Sequence, residues 1–141
     1  MNSYKYVYIL IFFLNFGSLF SQDFSADWAG YFSYLDIADI SQSEDKIYAA
    51  ADNAIFTYDI NTNEIGKIST INGLSGERIS SIHYSSDYEL LIIGYINGLM
   101  EIVFDNDIDV LTIIDIFDKP TISPENKVIN HFNEYNGQLY I

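Results

Sequence analysis

Residues 46–59, KIYAAADNAIFTYD, lie without a gap over residues 90–103, LLIIGYINGLMEIV, at a spacing of 44. Ile47, Ala50, Asn53, Ile55 and Tyr58 fall opposite Leu91, Gly94, Asn97, Leu99 and Ile102, so apolar positions and a turn asparagine coincide. A third copy opens at Asn136-Gly137-Gln138-Leu139-Tyr140, with Leu139 a further 48 residues beyond Leu91. Repeats of about 40–50 residues, each holding several short strands, have the spacing of β-propeller blades. A two-sheet sandwich would also give short strands, but not in-phase copies at 44 residues.

Outward from these copies the chain reads as all-β. Runs of four to eight strand-forming residues alternate with Asn, Gly, Asp and Ser, and no segment carries a helical apolar stripe. Strands are expected at 36–41, 46–51, 54–60, 64–71, 79–85, 89–95, 99–104, 110–116 and 128–133. Inner strands of a blade are sandwiched between neighbours and should be apolar on both faces, as in Leu90-Leu91-Ile92-Ile93; an outer strand should mix, as in residues 64–71. The expected organisation is a signal peptide over 1–21, an N-terminal segment over 22–35 supplying a blade-closing strand, and blade 1 over 36–75. Blade 2 follows over 76–118, then a linker and the start of a third blade over 119–141. Propellers close with about four to eight blades, so the sequence is expected to be a fragment of a larger ring.

The N-terminus carries Lys5, an apolar run from Tyr6 to Phe16, and then Gly17-Ser18-Leu19-Phe20-Ser21-Gln22, the three parts of an export signal. A membrane span needs roughly 20 apolar residues, and this run is interrupted by Asn15, Gly17 and Ser18, so cleavage is expected near Ser21. Removal of Lys5 takes the net charge from −14 to −15. With no basic stripe to offset it, such a field repels phosphate backbones and argues against nucleic-acid binding. The chain has no cysteine, which excludes disulfides, thiolate nucleophiles, cysteine-held metals and a lipid-modified N-terminal cysteine.

Residues 72–102 resemble the repeat of the two-component-regulator propellers through Gly73-Leu74-Ser75, Ile79 to Ile82, Gly94 and Gly98-Leu99. Ile92 stands where that repeat usually has tryptophan, and Tyr95 where it has threonine. Residues 27–41, 47–60 and 119–141 are similar to the N-terminal propeller of the PorZ family of the Bacteroidetes type IX secretion system. The resemblance implies a non-enzymatic, cofactor-free scaffold at the outer-membrane surface. Its implied partners are the attachment complex and the PorU sortase, to which it would present anionic lipopolysaccharide. The alternative is the extracellular sensor propeller of a hybrid two-component histidine kinase, whose repeats are alike. A propeller lyase or glycosidase would need a defined carboxylate pair, which the sequence does not offer.

Several residues carry candidate chemistry beside a plainer reading. Asp105, Asp107 and Asp109, with Asn106, supply the alternating oxygens of a calcium loop; the EF-hand pattern requires Gly and Glu where the chain has Val110 and Ile116, so a solvated turn explains them better. His83 and His131 each precede a matching leucine by eight residues, and Asp39 precedes Ile47 by eight. This would place all three at one position on strands lining a central channel, where repeat symmetry explains them as readily as a ligand ring. Trp28, Tyr31 and Tyr34, with Phe32, could stack on a sugar or close a blade interface. The serines lie in no Gly-x-Ser-x-Gly motif, and no glycine run is followed by a phosphate-loop lysine.

Overall fold

The structure is a computed structural model that describes residues 36–104 and 109–141. The expected signal peptide, the segment 22–35 with Trp28, Tyr31 and Tyr34, and Asp105 and Asp107 lie outside the described residues. The first sheet is an antiparallel meander of β1 (Ile37–Gln42), β2 (Lys46–Ala51), β3 (Ala54–Asp59) and β4 (Ile65–Ile68), in the order β1-β2-β3-β4. The second repeats it with β5 (Ile79–Ser85), β6 (Leu90–Tyr95), β7 (Met100–Phe104) and β8 (Val110–Ile113), in the order β5-β6-β7-β8. A two-stranded hairpin of β9 (Asn133–Tyr135) and β10 (Gln138–Tyr140) follows. Four-stranded meanders laid side by side are the blades of a β-propeller.

The hairpins follow from their turn residues. Asn136 and Gly137 both take positive φ, at 51° and 68°, which is the primed turn an Asn-Gly pair favours between antiparallel strands. The β2–β3 connection needs only Asp52 and Asn53, because Ala51 pairs with Ala54.

The two blades bury a common core. Tyr48, Ala50 and Ile55 of the first pack with Ile82, Leu91, Ile93, Leu99 and Val103 of the second. The rings of Tyr48 and Tyr84 stack across the junction at 5.4 Å and 12°. The far side of the second blade packs Ile92 and Met100 against Ile129 and Phe132 of the third repeat. Gly94 makes that approach possible: a Cβ there would stand 2.6 Å from Ile129 Cγ2 and 2.9 Å from Phe132 Cζ.

Register corrects three sequence expectations. In the first blade two residues close the β2–β3 hairpin, whereas in the second Gly94 pairs with Met100 and the loop Ile96-Asn97-Gly98 holds three. The gapless overlay therefore slips by one after the turn, and Ile55 and Tyr58 correspond to Met100 and Val103. Second, strand 128–133 is not formed; β9 starts at Asn133, since Tyr140 pairs with Asn133 and no β10 residue lies opposite 128–132. Third, the outer strands are short. The 64–71 run ends at Ile68, where a 3-10 turn over Thr70–Asn72 leads to Gly73 at φ 103°. The 110–116 run ends at Ile113, where Asp118 N–H donates to Ile114 O at 2.8 Å.

Candidate functional site

The first strand of a blade pairs with the second on one side only, so its other edge exposes backbone donors that must be satisfied or left to water. Here the preceding blade satisfies them. Asp39 on β1 accepts hydrogen bonds from Ser81 Oγ at 2.8 Å and Ile82 N–H at 2.9 Å, while its other oxygen accepts from Ile40 N–H. Ser41 Oγ accepts from Tyr84 N–H at 2.8 Å. At the next junction Glu134 on β9, in the following repeat, meets side chains of β5 and not its backbone, with Oε2 3.2 Å from His83 Nε2 and Oε1 accepting from Ser85 Oγ at 3.1 Å. Ser80 Oγ donates to Ile129 O at 2.7 Å, and Ile129 N–H donates to Tyr95 O. The result is a row of polar clamps from blade to blade along the first strands.

A second polar site lies inside the core. Glu101, on β7, is 1% exposed, and its carboxylate accepts from Ser75 N–H at 3.0 Å and from the Tyr95 hydroxyl. Burial, and then the neighbouring Glu101 carboxylate, push the Tyr95 phenol well above the ordinary tyrosine range. A phenol whose pKa is raised by folding contributes stability that is whole below the unfolded pKa of about 10 and is lost as pH rises beyond it. Alkaline unfolding titrations should therefore show a steep loss above about pH 10, and Tyr95→Phe should flatten it; an unchanged alkaline limb would contradict the buried pairing.

Between the β1–β2, β3–β4 and β5–β6 loops runs a groove of about 550 Å³ lined by Ser43, Glu44, Asp45, Asn61, Tyr84 and Glu89. Its loops are internally braced, with Ser43 Oγ donating to Asp45 Oδ1 at 2.8 Å. Asp59, at the base of the β3–β4 turn, accepts from Thr62 and Asn61 N–H groups, and the first of these holds its carboxyl below the ordinary range.

The sequence candidates do not converge. His83 is bound to Glu134, while His131 is exposed and precedes β9, so the two histidines form no pair. Nor are His83, His131 and Asp39 equivalent. Asp39 pairs with Ala50 as Ser81 pairs with Gly94, and His83 pairs with Ile92 as Ser41 pairs with Tyr48 and Asn133 with Tyr140. Asp109 stands exposed just before β8. Among the described residues no three His, Asp or Glu side chains group closely enough to hold a metal. Sequence reasoning missed Glu101 and Glu134, and the signal for Glu101 was present: a lone carboxylate inside the apolar run Met100–Phe104 must find donors or not be there.

Residues 47–141 match the family described as TSS9, PorZ, N-terminal β-propeller domain. Among solved structures, PorZ of Porphyromonas gingivalis, described as an essential surface component of the type IX secretion system, superposes with a TM-score of 0.65 at 22% identity. The match covers 74% of this chain and 14% of that one, so the chain spans about one seventh of its length. The Mitotic Checkpoint Complex matches with a TM-score of 0.55 at 13% identity over 73% of this chain and 29% of that one, a likeness of fold alone. The extracellular domain of the BT4673 one-component system of B. thetaiotaomicron reaches a TM-score of 0.47 at 22% identity, over 54% of this chain and 10% of that one. No curated protein sequence matches the chain. No helix among the described residues is long and apolar enough to cross a membrane. With its blades in place and the family match running from Ile47 to Ile141, the chain belongs to the PorZ N-terminal β-propeller family.

Proposed function

We propose that the chain is the leading part of a non-enzymatic adaptor at the outer-membrane surface, working in the attachment complex of the type IX secretion system with the PorU sortase. The family match over residues 47–141 carries this reading. In it, anionic lipopolysaccharide is presented to the sortase by the whole protein. The chain without its signal peptide, with a net charge of −15, would repel such a glycan unless a divalent cation bridged the two, so the glycan contact belongs elsewhere or needs that cation.

Two measurements test it. Affinity purification of the tagged protein from solubilised outer membranes should recover the sortase in stoichiometric amount; recovery of a histidine kinase instead would favour the sensor reading. Export predicts a mature N-terminus near Gln22, read by mass spectrometry of the secreted form, whereas retention of residues 1–21 would argue for an anchor.

A further inference from the structure

The edges of the two sheets are guarded unequally. On the channel side, Asp39 and Ser41 occupy backbone donors of β5. On the rim side, β4 carries Gly66 and Lys67, a weak strand former and a charge, both features that discourage strand addition. β8 has neither. It reads Val110-Leu111-Thr112-Ile113, pairs only with β7, and contains no charge, proline or glycine. Alternate residues of an edge strand turn N–H and C=O outward. Among the described residues, no backbone group donates to or accepts from that outer side.

The surroundings state what would fit. Leu111, Ile114, Phe117 and Phe104 are 40–51% exposed along this rim. Asp109 precedes the strand and Asp115 and Asp118 follow it, all exposed, with Lys119 the opposing charge. Self-pairing of two β8 strands about a two-fold axis would set Asp109 of each copy near Asp115 of the other, which disfavours a second copy of this chain. An extended partner with basic ends meets both the open ladder and the carboxylates.

We propose that the outer edge of β8 is a docking surface for an extended segment of a partner protein, apolar at alternate positions and basic at both ends, which adds to the second blade as a fifth strand. The rim of a blade stays outside the ring, so this surface persists whatever blades complete the propeller.

The probes are a labelled, end-capped peptide Lys-Lys-Val-Thr-Val-Thr-Lys-Lys and its counterpart with Glu in place of each Lys, read by fluorescence anisotropy. The chain should bind the basic peptide about tenfold more tightly than the acidic one, and the double variant Asp109→Lys, Asp115→Lys should reverse that preference. Hydrogen exchange should slow at the amides of residues 110–113 on adding the basic peptide. Absence of binding, equal binding of both peptides, protection at β4 or at the β9–β10 hairpin instead, or concentration-dependent protection of β8 without peptide would each overturn the proposal. A reversal of preference cannot come from misfolding, and the outcome is independent of whether the sortase is the partner in the cell.

Discussion

Glu101→Ala should lower the unfolding free energy by about 4 kcal/mol. The carboxylate is enclosed between the two blades and accepts from Ser75 N–H through both oxygens, at 3.0 and 3.3 Å, and from the Tyr95 hydroxyl. Hydrogen bonds to a charged acceptor are each worth about 1.5–3 kcal/mol, and truncation removes the acceptor from Ser75 N–H and strands the hydroxyl of the fully buried Tyr95. Those donors tie β6 and β7 to the connecting segment that leads from the first blade into the second, so the loss should appear as cooperative unfolding at lower urea. Glu101→Gln keeps one acceptor oxygen and should lose about half as much, whereas Glu77→Ala, on the exposed connecting loop, should stay within about 0.5 kcal/mol. A Glu101→Ala loss below about 1 kcal/mol would mean that the two donors find other partners.

Gly94→Val should be nearly as damaging, and through a different route. Even a bare Cβ at this position would meet Ile129 Cγ2 at 2.6 Å, Ile129 Cβ at 2.9 Å and Phe132 Cζ at 2.9 Å. Overpacking a close-packed interior costs about 1–3 kcal/mol, and a β-branched side chain here belongs at the upper end or beyond. Strand propensity acts the other way, since valine suits a strand better than glycine, yet that gain is at most about 1 kcal/mol. The third repeat should detach from the second blade: the amides of Ile129 and of β9 should lose protection from hydrogen exchange while β2 and β3 keep theirs. Uniform loss across all strands would contradict the local clash.

How much of this was legible beforehand depended on which residues were read. The blades followed from residues 46–59 and 90–103, because the inner strands must be apolar on both faces and the hairpin turns recur. The finer equivalence failed because the connections differ in length at equivalent rungs, with four residues between the paired Gln42 and Ile47 but six between the paired Tyr84 and Leu91. Counting back eight from Ile47 and Leu91 therefore joined Asp39 to His83, whereas hydrogen-bond register joins Asp39 to Ser81. A period in sequence locates a repeat; only the ladder fixes which side chains face the same neighbour. Gly94 was visible as a motif residue, but the reason for it lies 35 residues away in Ile129, which no local pattern reveals. Glu134 was equally hidden, since its partners His83 and Ser85 stand on another blade.

The proposed function rests on family membership, and the surface-adaptor reading makes one demand on the secreted cargo. Deleting the gene in its host and following a cargo protein that carries a type IX C-terminal signal, by mass spectrometry of cell-surface and culture fractions, tests it most directly. The account predicts cargo that keeps its C-terminal signal and lacks attached glycan, restored by the wild-type gene. Normally processed, glycan-bearing cargo in the deletion strain would contradict it.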